Sequence, residues 1–276
     1  MGHPTPERMP AWFLAHGAPT HLLGEEPVRR FWGSLADRLP RTPRAILCLS
    51  AHWLTDTPAL SGHGDAPAIQ HDFHGFPEPL YRIDWRPAAD AAVARWMRGR
   101  LADLLGTLEE EPERPLDHGT WVPLLDPFPA PPFPVYQLSL CPGKGMRWHL
   151  DLGRLLAPLR DQGVLLIGSG GIVHNLSRLD WQAPPDRVTP WAGIFMDAVE
   201  KAIGAGDLDT LCAPLSLPSG SQCLPTVEHY LPLLTFLGSA ADEAIVPLHR
   251  EWAFGCLSLH SYGAGSSAPA SPEGQA

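Results

Sequence analysis

Histidines follow several apolar segments of this chain closely enough to form a metal site. His16 comes directly after the apolar run 11–15, and His52 comes two residues after a second run. His174 follows a third apolar run, which ends in Gly-Ser-Gly-Gly. Imidazole is the commonest side-chain ligand of metals in proteins, and α/β sheets bind ligands at the carboxyl ends of their strands. These histidines, with His229 at the start of a predicted helix, are therefore candidates for one metal site.

Local motifs argue against most other kinds of site. The chain contains no HExxH, HxxxH or DxDxDG sequence, so a metal site must be assembled from distant segments. The GSGG segment at 168–171 is neither a Walker A loop nor a GxGxxG fingerprint, which argues against nucleotide binding. Ser169 does not lie in a GxSxG nucleophile elbow. Lys144 and Lys201 are the few candidates for Schiff-base chemistry.

The amino-acid composition of the chain limits the kinds of binding partner that are expected. The 276 residues are 44% hydrophobic and carry a net charge of −10 with no basic run, so neither a nucleic-acid surface nor an anionic membrane surface is expected. No apolar stretch reaches the roughly 18 residues of a membrane-spanning helix. The five cysteines are scattered and form no CxxC pair. We expect reduced thiols and a cytoplasmic location.

Strand and helix patterns alternate along the chain and predict a single α/β domain over residues 9–262. We expect a central mixed, partly parallel sheet with helices on both faces. Residues 263–276 are rich in Ser, Ala, Pro and Gly and are predicted to be a flexible tail. The predicted strands cover 11–15, 44–50, 133–140, 164–167, 243–247 and 253–262, the last of them at an edge of the sheet. The predicted helices cover 27–39, 88–105, 149–159, 190–203 and a segment starting at 225, with Thr226 as its cap.

Two loops are expected to serve the site. The GSGG segment is interpreted as a loop with unusual backbone angles, which lets the chain turn sharply and leaves room for a flat ring beside His174. Residues 58–87, rich in Pro, Gly and His, are long enough to suggest a functional loop. Within this loop, His71 and His74 are interpreted first as solvated side chains. Additional contacts between these histidines and a metal are left open as the alternative.

Six segments, in order, resemble the class III extradiol ring-cleavage dioxygenases, and specifically their 4,5-DOPA-dioxygenase-like branch. The resemblance extends from about residue 11 to residue 262. One departure is that histidines replace the aromatic residues usual in the fragment at 72–77. The segments are HGAP at 16–19, LSAHW at 49–53, DFHGFP at 72–77, LDHGTWVPL at 116–124, GSGGIVHNL at 168–176 and PTVEHYLPLL at 225–234.

The resemblance implies a mononuclear divalent metal, Fe(II) for activity or Zn(II) in the isolated protein. It implies that His16, His52 and His229 are the metal ligands, with the adjacent carboxylate of Glu228 left open as an alternative third ligand. It also implies His174 as the acid/base residue and His118 as a histidine that faces the substrate. Trp53, His260 and Tyr262 are further candidates for the pocket lining.

The expected reaction is oxidative cleavage of a catechol-type, DOPA-like ring by O₂ to a muconic semialdehyde-type product. The partners would be a small aromatic diol and O₂, and the oligomeric state is left open. His174, with a pKa expected near neutrality, would take up a phenolic proton of the substrate. A zinc-dependent hydrolase and a non-catalytic metal-binding protein on the same fold are the alternatives that the residues leave open.

Overall fold

The central element of the structure is a mixed eight-stranded sheet, seen in a computed structural model that describes residues 7–62, 64–65, 67–184 and 187–265. Its strand order is β4-β3-β5-β2-β6-β1-β10-β7, and a two-stranded ribbon pairs β8 with β9. The strands are β1 (Ala11–Ala15), β2 (Ala45–Ser50), β3 (Ala59–Ser61), β4 (Glu109–Glu111), β5 (Val135–Leu138), β6 (Val164–Gly170), β7 (Val246–His249), β8 (Trp252–Ala253), β9 (Leu257–Ser258) and β10 (Ser261–Ala264).

Helices cover both faces of this sheet, as predicted. The helices are α1 (Pro27–Gly33), α2 (Ala91–Leu105), α3 (His118–Leu125), α4 (Gly145–Leu156), α5 (Pro158–Asp161), α6 (Pro190–Ala205), α7 (Leu208–Leu211), α8 (Gly220–Cys223) and α9 (Leu231–Ser239). Alternate residues of β1 face different cores: Ala11 and Phe13 pack with helices α2, α4, α6 and α9, whereas Trp12 and Leu14 pack with α1 and α3. Burial on both faces explains why the central strands β1, β2 and β6 are largely apolar.

The middle of the sheet is parallel. Strand β6 lies between β2 and β1 and pairs in parallel with both. On its other side β1 pairs antiparallel with β10, and the backbone N–H of Ala15 donates a 3.0 Å hydrogen bond to Ser261 Oγ. The carboxyl ends of β1, β2 and β6 therefore lie at one edge of the sheet, and each of them leads to a histidine.

Several predicted boundaries were wrong. The helix expected from residue 225 begins at Leu231, which places Pro232 in the first turn, where a missing N–H costs nothing. Thr226 does not cap that helix, because its hydroxyl donates to Glu228 Oε1. Helix α2 begins at Ala91 rather than residue 88, because the Asp90 carboxylate caps it.

Other elements are shorter or divided. The predicted helix 149–159 consists of α4 and α5, and 27–39 consists of α1 followed by a short 3-10 helix, Ala36–Arg38. The strand predicted over 133–140 is shorter in the structure, where it is β5. The strand predicted over 243–247 lies slightly later in the chain as β7, and the one predicted over 253–262 is divided among β8, β9 and β10.

The final strand is not at an edge. β10 lies between β1 and β7, and it includes Gly263 and Ala264, which were assigned to the tail. Residues 266–276 of the predicted tail, and His63, lie outside the described residues. No helix in the described part of the chain has the length and apolar character needed to cross a membrane. All five cysteines are free thiols, as expected, and the cytoplasmic location stays a prediction.

Candidate active site

The five histidines predicted to form the site line one cavity of about 320 Å³. His16 directly follows β1, His52 follows β2 by two residues, and His174 follows β6 by four. His118 is the first residue of α3, and His229 lies two residues before α9. The parallel arrangement of β1, β2 and β6 thus brings together histidines that are far apart in sequence.

Three of these side chains offer ring nitrogens in the arrangement that a metal requires. One ring nitrogen from each of His16, His52 and His229 lies within 4.8 Å of the others. Nε2 of His16 and Nε2 of His52 are 3.1 Å apart. Two imidazole nitrogens bound to one metal at about 2.1 Å are about 3.0–3.4 Å apart for bond angles between octahedral and tetrahedral. The His16–His52 distance therefore fits two ligands of one metal ion, and His229 lies close enough to be a third.

A hydrogen-bonded chain orients the His16 ring. The Ser169 hydroxyl donates to the carbonyl oxygen of Gly119, so its oxygen is free to accept from Nδ1–H of His16, 3.0 Å away. With the proton on Nδ1, the Nε2 lone pair of His16 points toward the cluster. A partner on the second ring nitrogen is the usual way in which proteins fix a ligating histidine.

The ring of His229 is oriented in a similar way. Its Nδ1 lies 3.1 Å from Glu228 Oε1, which accepts the ring proton. Its Nε2 is buried and has no hydrogen-bond partner in the structure. A buried nitrogen without a partner is costly unless something binds it. Glu228 itself belongs to neither of the ligand clusters found among the described residues.

Glycines of β6 allow the segment that carries His229 to approach the sheet. A Cβ at Gly170 would overlap the carbonyl oxygen of His229, and one at Gly168 would overlap that of Pro232. The N–H of Gly171 donates a 2.8 Å hydrogen bond to the same His229 carbonyl. The interpretation of GSGG as a turn was therefore wrong: Gly168 and Gly170 continue the strand and lack positive φ angles.

His118 is held at the cavity by two aspartates. Asp117 caps α3, accepting the N–H of Thr120. Asp72 Oδ1 accepts the backbone N–H of His118 at 2.9 Å and lies 3.0 Å from its Nδ1. Burial raises the pKa of Asp72, but the His118 contacts outweigh burial and leave that pKa below its usual value. Ligand atoms of His52, Asp72 and His118 also lie within 4.8 Å of one another.

Burial favours the neutral forms of His16, His52 and His229. It lowers the pKa values of His16 and His52 well below their usual value, and neighbouring histidines lower them further. Burial also lowers the pKa of His229, although Glu228 opposes this. The pKa of His174 falls to about 3, mainly through burial and then through His229, so the expectation of a value near neutrality was wrong. Neutral imidazole is the form that binds metals.

The remaining cavity wall is mostly apolar, and sequence reasoning missed most of it. Exposed Trp181 and Leu176 have no periodic pattern that marks them. The unpredicted members are Phe73, Phe76, Leu176, Leu179, Trp181, Phe254 and Leu257.

Neither the suggested lining residues nor His71 reaches the cavity. Trp53 packs against the guanidinium of Arg114, His260 lies beside Ser258, and Tyr262 donates to Glu200. His71 packs against aromatic rings of Phe73, Tyr81 and Trp121, whereas the exposed His74 does line the cavity.

Comparison with known proteins identifies the family of the chain. Residues 10–246 match the family model described as the catalytic LigB subunit of aromatic ring-opening dioxygenase. The chain is 38% identical to the 4,5-DOPA dioxygenase extradiol of Escherichia coli K12 over 84% of this chain and 85% of the relative. It is 34% identical to the 4,5-DOPA dioxygenase extradiol of Beta vulgaris over 91% of this chain and 94% of that relative.

A solved structure shows the same fold. The crystal structure of an uncharacterized protein from Escherichia coli K12 superposes with a TM-score of 0.77 at 33% identity, covering 93% of this chain and 99% of that one. The chain therefore belongs to the LigB family of class III extradiol ring-cleavage dioxygenases, in its 4,5-DOPA-dioxygenase-like branch, as its motifs indicated.

Proposed function

We propose that the protein cleaves the aromatic ring of a catechol with O₂, using one divalent metal ion held by His16, His52 and His229. The carbon–carbon bond next to the two hydroxyl-bearing carbons breaks, and both oxygen atoms of O₂ enter the product. One new end is an aldehyde and the other a carboxylate, which makes the product a muconic semialdehyde. The named activity of the relatives, 4,5-DOPA extradiol dioxygenase, supports a substrate of this class.

The observation that carries the proposal is the unpartnered Nε2 of His229 beside the paired Nε2 atoms of His16 and His52. Three neutral imidazoles in a buried cavity suit a divalent ion. Glu228 acts through His229, because its carboxylate holds the ring proton on Nδ1. We therefore propose His229, and not Glu228, as the third ligand.

The metal that supports activity is proposed to be Fe(II), with Zn(II) able to occupy the same ligands. Bound Fe(II) would supply electron transfer between the catecholate and O₂, which Zn(II) does not provide. The protein supplies orientation and proton transfer. A ring bound in the cavity would lie against its apolar wall and would displace water from around the reacting atoms.

His174 is proposed as the residue that accepts a phenolic proton. It is neutral because its pKa is about 3, so it can take up a proton without first losing one, and it returns that proton later in the reaction. His118 would donate or accept a hydrogen bond at a substrate oxygen, with Asp72 fixing its position through the backbone. Both side chains line the cavity beside the proposed ligands.

The test begins with protein loaded with Fe(II) in the absence of O₂. Addition of a catechol and then air should give a yellow product, with one O₂ consumed per ring cleaved. Replacement of His16 or His52 should remove the metal, whereas replacement of His174 should leave the metal content unchanged and abolish turnover. Absence of turnover with a panel of catechols, at full iron occupancy, would overturn the proposal. Metal-dependent ester or amide hydrolysis without O₂ would instead favour the zinc hydrolase.

A further inference from the structure

The outer part of the cavity has a different character from its base. The base carries Asp72 and the five histidines of the proposed site, whose side chains can form hydrogen bonds with a ligand. The outer wall carries Leu176, Trp181 and Phe254. Leu176 and Trp181 are 63% and 58% exposed, which is unusual for such large apolar side chains and places them where the cavity opens to solvent.

This outer wall is held in place by main-chain bonds between two segments. The N–H of Asp180 donates to the carbonyl of Phe254 at 3.0 Å, and the N–H of Thr189 donates to that of Gly255 at 2.8 Å. The Trp181 and Phe254 rings are in contact, with centroids 4.5 Å apart. These bonds and this contact join the segments that carry Trp181 and Phe254.

The backbone at Phe254 is strained. Its φ angle is +52°, in the left-handed region that bulky side chains rarely adopt because it is strained. The following residue, Gly255, also has a positive φ, of 73°. Glycine adopts such an angle readily because it has no side chain. Strain of this kind clusters at ligand-binding positions. Here it places an aromatic ring at the opening, between Trp181 and His21.

The cavity offers no permanently charged cation to a substituent of the ring. Among the described residues that line it there is no lysine or arginine, and its single carboxylate, Asp72, is engaged with His118. Arg178 shares a short 3-10 helix with Leu176 but is exposed and does not line the cavity. The other titratable side chains of the lining are histidines, of which His74 is exposed. Leu176, Trp181 and Phe254 themselves offer no ionic partner, so a charge placed against them would lose water without gaining one.

We propose, on the basis of the proposed function, that the substrate is a catechol whose ring carries an apolar, uncharged substituent. The two hydroxyls face the histidines, and the substituent lies against Leu176, Trp181 and Phe254. The amino-acid side chain of DOPA, with its ammonium and carboxylate groups, does not suit this wall. The relatives' named substrate and the substrate of this chain thus share the catechol ring and differ in the group attached to it.

Four catechols that differ mainly in charge test the inference: 4-propylcatechol, dopamine, dihydrocaffeic acid and DOPA. With the Fe(II) protein, kcat/KM for 4-propylcatechol should exceed that for DOPA at least about tenfold. Calorimetry without O₂ should give a lower Kd for 4-propylcatechol, a measurement that does not depend on turnover. DOPA performing equally well or better in both measurements overturns the inference and leaves the proposed function standing. Failure of every catechol, including the unsubstituted one, overturns both.

A pair of variants tests the outer wall itself. Leu176→Ala should lower the ratio of kcat/KM for 4-propylcatechol to that for catechol about fivefold, because it removes apolar contact with the substituent. Leu215→Ala is the matched control, since Leu215 is similarly exposed, at 52%, and does not line the cavity. Equal ratios in Leu176→Ala and the unmodified protein would overturn the placement of the substituent.

Discussion

The imidazole ring of His174 lies flat on that of His229, with centroids 3.5 Å apart and planes 6° from parallel. The proposed proton acceptor thus touches a proposed metal ligand through its ring face, which leaves Nε2 of His229 and the ring nitrogens of His174 free of the stacking contact. Stacking in this way fixes the plane of His174 without using a hydrogen bond of its side chain. The two roles, proton transfer and metal binding, can therefore be separated by mutation.

His174→Phe keeps a flat ring on His229 and removes the nitrogens. We expect kcat to fall about 10²- to 10⁴-fold, the usual contribution of a general base, with metal content unchanged. Steady-state oxygen uptake and metal analysis on the same preparation measure both effects. Loss of the metal from His174→Phe would show that this residue is a ligand instead.

Gly170→Ala should prevent the segment around His229 from seating against β6. The added Cβ would overlap the His229 carbonyl, so we expect a loss of about 3 kcal/mol or more in the free energy of unfolding and weaker metal binding. Urea unfolding and metal titration measure the two. Gly171→Ala is the control, because its Cβ would meet nothing closer than 3.8 Å. Similar stability of the two variants would contradict this account of the glycines.

Ser169→Ala removes the acceptor of the His16 ring proton. Loss of a partner that orients a ligating histidine typically weakens metal binding about 10- to 100-fold, and we expect a change of that size in a competition titration with a chelator. Ser61→Ala provides the comparison, since the buried Ser61 hydroxyl has no hydrogen-bond partner. If both serine variants bind the metal as tightly as the unmodified protein, the orienting role of Ser169 is wrong.

Glu228→Gln distinguishes a ligand from an orienting residue. If Glu228 only holds the Nδ1 proton of His229, the neutral amide oxygen can still accept that proton, and metal affinity should fall about tenfold. His229→Ala should abolish specific binding. The reverse order of severity would make the carboxylate the third ligand.

Stability of the metal-free protein should fall as the pH drops below about 6.5. Burial lowers the pKa of His149 to about 4, although its bond to the Gly145 carbonyl raises it. The unfolded chain, with a histidine pKa near 6.5, therefore binds more protons between pH 6.5 and 4, and stability decreases as pH falls through that window. His149→Gln should reduce the slope by up to about 1.4 kcal/mol per pH unit in urea unfolding. An unchanged slope would contradict the assignment.

Sequence patterns predicted the strands that carry the site better than the contacts that complete it. Residues 11–15 form a strand with the predicted bounds, and the histidines after the central strands meet because parallel strands end at one edge. These features depend on local hydrophobicity and on chain direction. Both can be recognised in one sequence.

Contacts between distant segments could not be predicted in this way. The close approach of the His229 carbonyl to Gly170 depends on the packing of α9 against β6, which no local pattern reports. The same limitation applies to Phe254, whose positive φ is more typical of glycine, and to the His174 pKa, which depends on burial by other segments. Recognition of family motifs supplied the site residues that periodicity alone left open.

The pairing of β10 with β1 has a consequence for when the centre can be assembled. Strand β1, which leads directly to His16, takes β6 as one neighbour and β10 as the other, so its partners are encoded about 150 and 250 residues downstream. A growing chain on the ribosome holds His16 and His52 long before it holds His229 and β10. If His16, His52 and His229 hold the metal as proposed, the ligand set is complete only after residue 229 has been synthesised, and β1 gains both of its neighbours only after residues 261–264.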